Sequence, residues 1–253
     1  MKKLVIVMPL IIILAIFGCT KDDSNPTGPG GGGPAAPTNV TIQATNDGLG
    51  IIITWTAVAN ADSYMVQTPD VDVIVAGNQT SYTDNAPGTM GTYRVRAYDD
   101  NTAGDWSSSY STSPVSGSGT IYEWDASGHS CFYWDVDGNG YTISRLETAA
   151  ISLTDIFLYD NNTSDLYIFC SQEQPLGGTK TTYLYYDGST TSPYAHTTPW
   201  YNGWIAGVNN MGGYYWVELS SGRYVRLKLT TVSATSVSFS FLYQTVQGFR
   251  YVE

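Results

Sequence analysis

Two histidines, three cysteines, a short acidic run and a loop of large aromatic rings are the side chains of this sequence best suited to chemistry, and each set implies a different kind. His129 and His196 are the only imidazoles, and two imidazoles can hold one haem iron from its two axial sides, with Met211 as a thioether substitute. Neither histidine sits in a motif that fixes its role, so plain polar loop residues remain the other reading. Asp135, Asp137 and Asn139 have the alternation that opens an EF-hand calcium loop, with oxygens at positions one, three and five around a hard cation. Position twelve of that loop is Leu146, however, and Glu147 comes one residue late. Asp137-Gly138-Asn139-Gly140 between strand-like flanks has the chemistry of a plain hairpin turn instead. Cys131 and Cys170 could pair, adding roughly 4 kcal/mol on the chain-entropy model, or stand as two buried thiols. Trp200, Tyr201 and Trp204, around Pro199 and Gly203, could stack on a sugar or grip an apolar ligand, or else pack their own loop onto a core.

No nucleophile stands beside a base in a recognisable motif, no histidine cluster offers a zinc site, and Gly30 to Gly33 does not follow a strand. The expectation is a protein that binds rather than catalyses. A net charge of −11, with no basic run, repels phosphate backbones and excludes a nucleic-acid partner.

These residues must be positioned by something other than helices. Lys2 and Lys3 precede an unbroken apolar run from Leu4 to Phe17, too short for the roughly 20 residues of a membrane-spanning helix, so residues 1–18 are expected to be a cleaved signal peptide. Ile16-Phe17-Gly18-Cys19 resembles a bacterial lipobox, with Phe17 bulkier than usual at its position. The resemblance implies a lipoprotein lipidated on Cys19, whose two or three acyl chains each add about 0.8 kcal/mol of membrane affinity per buried methylene. Lys21-Asp22-Asp23 is similar to the export signal of surface lipoproteins in some Bacteroidota, which would put the chain on the outer face of the outer membrane; a solvated charge cluster is the alternative. Residues 19–36, rich in Gly and Pro, have too little apolar surface to offset their ordering entropy and read as a disordered tether.

Beyond the tether, only 13% of residues are charged, tyrosine numbers 20, and short segments alternate apolar and polar residues at period two, which reads as all-β. Ile51, Ile53 and Trp55 share one strand face, Tyr64 and Val66 another, and Tyr93, Val95 and Ala97 a third, leaving Arg94, Arg96 and Tyr98 to face water or a neighbouring domain. Ile53-Thr54-Trp55, Ala61-Asp62-Ser63-Tyr64 and Gly91-Thr92-Tyr93-Arg94-Val95-Arg96-Ala97-Tyr98 together resemble a fibronectin type III domain over residues 37–116. The resemblance implies a buried Trp55, a tyrosine-corner role for Tyr93, and a spacer or interaction module with no Arg-Gly-Asp tripeptide.

Residues 117–253 read as a second β-rich domain. There Val225, Leu227 and Leu229 alternate with Arg226, Lys228 and Thr230, and Val237, Phe239, Phe241 and Tyr243 alternate with serines and Leu242. Tyr215-Trp216-Val217-Glu218-Leu219, Arg223-Tyr224-Val225-Arg226-Leu227 and Ser238-Phe239-Ser240-Phe241-Leu242-Tyr243 are similar to the closing strands of HmuY-type haem-binding lipoproteins. That resemblance implies haem capture, or a relative that kept only the fold. The expected molecule is therefore two tandem antiparallel β-sandwich-like domains behind a lipidated tether. Its function is expected to be non-catalytic surface binding, of haem or, alternatively, of a glycan or protein through exposed aromatics.

Overall fold

The computed structural model describes residues 32–160, 166–173, 175–188, 195, 204–205 and 213–252. Cys19, His196, Trp200, Tyr201 and Met211 lie outside them, and of Trp204 only the backbone is described.

Among the described residues the regular structure is β apart from one four-residue helix, as the period-two patterning predicts. The chain first forms β1 (Thr41–Ala44), β2 (Ile51–Thr54), β3 (Ser63–Gln67), β4 (Asp72–Ala76), β5 (Ser81–Asp84), β6 (Thr92–Asp99), β7 (Thr102–Ala103) and β8 (Tyr110–Ser111). One sheet runs β1-β2-β5 and faces another that runs β4-β3-β6-β7, with β8 also on β6. Ile51, Ile53, Tyr64, Val66, Tyr93, Val95 and Ala97 are fully buried between them, and the Trp55 ring meets Tyr64 at 5.3 Å. Tyr93 donates its hydroxyl hydrogen bond to the Asp84 carboxylate at 2.8 Å, and burial raises its pKa further. Arg94 and Arg96, expected on a wet face, are half-buried: their guanidinium groups stack on the Trp106 ring at 4.2 and 4.5 Å.

The second sandwich begins inside the stretch where composition suggests a passage between domains. Ser116-Gly117-Ser118-Gly119 is part of β9 (Val115–Tyr122), an edge strand. The remaining elements are β10 (Cys131–Trp134), β11 (Gly140–Ile143), helix α1 (Ala150–Leu153), β12 (Ile156–Tyr159), β13 (Tyr167–Cys170), β14 (Tyr183–Gly188), β15 (Trp204–Ile205), β16 (Tyr214–Glu218), β17 (Tyr224–Val232) and β18 (Ser236–Tyr243). They form two five-stranded sheets, β11-β10-β12-β13-β15 and β14-β16-β17-β18-β9. Phe132, Ile156, Leu158 and Ile168 of the first pack on Val217, Leu227, Phe239 and Phe241 of the second. A Cβ at Gly117 would run into the Phe241 ring and one at Gly119 into Phe132, so these glycines are what lets β9 lie over the aromatic core.

The two sandwiches share material. After β18 the chain turns back, and Val246, Phe249 and Tyr251 complete the core of the first sandwich beside Ile51, Trp55 and Tyr93. Fully buried Gln244 fixes the turn, donating from Nε2 to the carbonyls of Thr112 at 3.1 Å and Tyr251 at 2.8 Å and accepting from the Val246 amide at 3.0 Å. Residues 32–253 are accordingly one compact unit.

Candidate functional site

The pleat of the second sheet decides what its outer face offers. Tyr215, Val217, Val225, Leu227, Phe239 and Phe241 point into the core, so their neighbours point out. Strand register lines these outward residues up in rows. Tyr214 stands opposite Lys228, which stands opposite Ser240, which stands opposite Ser118. The next row runs Trp216, Arg226, Leu242 and Ser116.

Arg226 is the anomaly on this face. An outward arginine would ordinarily reach water, yet this one is only 7% exposed, because Val252 and Ala195 pack with Trp216 and Leu242 over the same face. Its guanidinium lies 4.1 Å from the centre of the Tyr214 ring and 5.7 Å from that of Trp216. Nη1 reaches the Val252 carbonyl oxygen at 3.4 Å, and the enclosed Nε has no acceptor among the described residues. No carboxylate among the described residues pairs with it. Exposed Lys228 sets a second cation, its ammonium, 5.5 Å from the same Tyr214 ring. Asp187 is committed to the Trp216 indole at 3.3 Å, and Glu218, one row beyond Trp216, lies under the charge of Arg250. Tyr214, Arg226, Lys228, Ser240 and Leu242, with Ser116 and Gly117, line a groove of about 290 Å³. Two cations, one aromatic face and hydroxyls in a groove with no acid among its described lining are suited to an oxyanion: the guanidinium and ammonium supply charge-assisted donors, and the ring supports the apolar part of a ligand.

A second polar cluster joins the two sheets. Asp155, with 2% of its side chain exposed, accepts from Lys180 Nζ at 2.9 Å and from the Trp134 amide at 2.9 Å. Burial pushes its carboxyl above the ordinary carboxylate range against the opposing pull of Lys180. The cavity beside this pair, lined also by Arg223, Ser221 and Tyr243, measures about 140 Å³, half the groove. Its lysine is already committed to Asp155.

The residues singled out in the sequence are scattered. His129 is exposed, with Nδ1 3.1 Å from Thr142 Oγ1, and its carbonyl accepts from the Tyr122 amide at the far end of β9 from Ser116. Six strand residues at 3.3 Å each put it roughly 20 Å from the groove. His196, Trp200, Tyr201 and Met211 lie outside the described residues. Asp135, Asp137 and Asn139 form the turn of the β10-β11 hairpin: Asp135 Oδ1 accepts the amides of Asp137 at 3.0 Å and Asn139 at 2.8 Å, and Oδ2 takes Asn139 Nδ2 and the Tyr141 hydroxyl. Those oxygens hold the turn, and among the described residues no group of three His, Cys, Asp or Glu side chains is placed to share a metal. Cys131 and Cys170 do not form a disulfide. Cys131 stands opposite Phe157 and Cys170 opposite Ile156, adjacent residues of β12, so the two thiols point to opposite faces of one sheet with a strand between them. Burial pushes the Cys131 thiol up to about 11.

No family model matches the chain, and no curated protein matches it significantly. Among solved structures it is similar to a DUF4466 family protein from Parabacteroides merdae, with 13% identity over 83% of this chain and 99% of that one and a TM-score of 0.42. It is similar also to FN3tt, with 14% identity over 31% of this chain and 94% of that one, and to a mutated FN3tt, with 16% identity over 31% and 93%, each at a TM-score of 0.26. Neither likeness bears on what the groove holds.

The alternation along residues 225–230 sets Arg226 and Lys228 on the face opposite Val225, Leu227 and Leu229 and says no more. The missing signal was the cover: nothing in the spacing of residues 224–230 announces that Val252 and Ala195 return to bury the guanidinium.

Proposed function

We propose that this chain is a non-catalytic binding protein of the bacterial cell envelope, anchored through lipid on Cys19, whose C-terminal sandwich holds an anionic ligand against Tyr214, Arg226 and Lys228. The observation that carries the proposal is Arg226. Enclosing a cation with no carboxylate beside it among the described residues costs several kcal/mol, and a leucine there would avoid the cost, so a guanidinium that lines a groove fits a site completed by an anion. The acidity of the rest of the chain makes two converging cations the more specific.

The lipid anchor is tested by labelling cells with an alkyne analogue of palmitate: the wild-type chain takes the label and Cys19→Ser does not, whereas equal labelling would remove the anchor. For the groove, citrate is the charge probe and Trp216 the reporter, since its ring lies beside the guanidinium. Citrate should change the indole fluorescence saturably, and Arg226→Gln should weaken the affinity about 10- to 100-fold, the worth of hydrogen bonds to a charged group. An unchanged affinity in that variant would show that the ligand sits elsewhere.

Haem, the ligand implied by the HmuY resemblance, carries two carboxylates for this groove but also needs an iron ligand. His129 is too distant, so haem capture rests on His196, with Met211 as the thioether substitute. A haemin titration followed at the Soret band then gives a shift that His196→Ala abolishes and His129→Ala leaves intact; a shift dependent on His129 would place haem away from Arg226.

A further inference from the structure

We propose that the ligand of this groove is an acidic saccharide, a short uronate-containing glycan lying across the outer face of the β14-β16-β17-β18-β9 sheet. The inference rests on the anion reading above and comes from what continues the groove. Beyond Lys228 the row passes to Ser240 and Ser118, and beyond Arg226 it passes over Leu242 to Ser116. A third pair follows, Ser238 and Thr120, whose hydroxyls lie 2.8 Å apart. Ser116 and Ser118 are exposed and Ser238 and Ser240 half-buried, so the strip presents hydroxyls to solvent. Four strands at about 4.8 Å spacing make the strip roughly 14 Å wide, enough for a few sugar rings.

The charge balance selects the ligand class. Two cations followed by hydroxyls match a molecule with few carboxylates and many hydroxyls. A nucleic acid would bring phosphates for the two cations but few hydroxyls for the serine strip. A largely apolar ligand would find the Tyr214 ring and Leu242 but would leave the two cations and the hydroxyls of the strip without partners. On a saccharide the carboxylate goes to Arg226 and Lys228, a ring face of C–H groups lies on Tyr214, and ring hydroxyls exchange hydrogen bonds with Ser240 and Ser118. The two serines act as specificity determinants, because a site built to bond hydroxyls discriminates against ligands that lack them.

The test is calorimetric titration of the full-length protein in detergent with trigalacturonate, with neutral maltotriose, and with citrate. Trigalacturonate should bind at least tenfold more tightly than citrate, and maltotriose should give no measurable heat. The double variant Ser118→Val, Thr120→Val removes hydroxyls of the strip that lie outside the groove lining, keeps strand-compatible side chains, and should cut trigalacturonate affinity at least fivefold with citrate unchanged. Citrate binding as tightly as trigalacturonate, or a double variant without effect, would overturn the saccharide inference and leave the anion groove standing. Failure of both anions to bind would overturn the groove and the inference together.

Discussion

Replacing Phe249 with alanine should lower the unfolding free energy by about 3–5 kcal/mol, the cost of deleting a fully enclosed phenylalanine. Phe249 has no exposed surface and sits in the core of the first sandwich, some 150 residues along the chain from Tyr93 and Val95 against which that core is built. The tail that carries it is fixed from both sides: the Arg250 amide donates to the Gly48 carbonyl at 2.9 Å, the Gly248 amide to Gly222 at 2.8 Å, and the Tyr251 hydroxyl to Gly88 at 3.2 Å. Because Gly48 and Gly88 belong to the first sandwich and Gly222 to the second, the loss should appear as one cooperative transition at lower denaturant, reported alike by every tryptophan. For a unit of this size it corresponds to a fall in melting temperature of roughly 10 °C. Two separated transitions in the wild-type chain, only one of them moved by the substitution, would show that the sandwiches are independent.

The second large effect belongs to Lys180. Substituting methionine preserves most of the stem but leaves the Asp155 carboxylate enclosed with the Trp134 amide as its remaining donor among the described residues. Removing one member of a buried ion pair costs about 3–5 kcal/mol, and the lower end is expected here because the lysine side chain is 24% exposed while the aspartate is enclosed. The pH dependence has a definite sign. Asp155 already titrates above its ordinary value, and losing Lys180 raises it further. A raised acid stabilises the fold below its unfolded pKa and loses that contribution as pH rises through the folded value. The Lys180→Met defect should therefore be largest near neutrality and shrink as the pH falls toward about 4, the ordinary aspartate range. Asp155→Asn, which removes the charge and keeps the shape, should be milder at pH 7 than Lys180→Met. Denaturant titrations of both variants at several pH values check this; a pH-independent Lys180→Met defect would mean that packing, not the stranded charge, sets the cost.

The parts of the fold that were legible in the sequence are those determined within one strand. Alternation fixed the inward faces of Ile51, Ile53 and Trp55, of Val225, Leu227 and Leu229, and of Phe239 and Phe241, because a side chain in a strand has only two directions to point. What stayed hidden depends on partners far along the chain. Ser116 to Gly119 has the composition of a linker, and becomes a strand only because Phe241 and Phe132 occupy the space where side chains would stand. Val246, Phe249 and Tyr251 follow the last strand and look like a leftover tail until they are seen inside the other sandwich. Asp155 and Lys180 carry no motif, and their meeting is set by the packing of one sheet on the other. The cysteines show the same limit: both were recognised as buried candidates, but their relative faces depend on the register of β12 between them.

The most direct test of the account is whether the Arg226 guanidinium takes an anion in the groove that it lines. The Nε–H signals of the arginines are few enough to resolve in a nitrogen–proton correlation spectrum of the labelled protein, and Arg226→Gln assigns the one of interest. On addition of trigalacturonate the Arg226 signal should move saturably as a carboxylate meets its guanidinium, with the signals of Arg94 and Arg96 on the Trp106 ring unmoved. An Arg226 signal that stays fixed while ligand heat is released, or that moves only in step with every other arginine, would contradict the site.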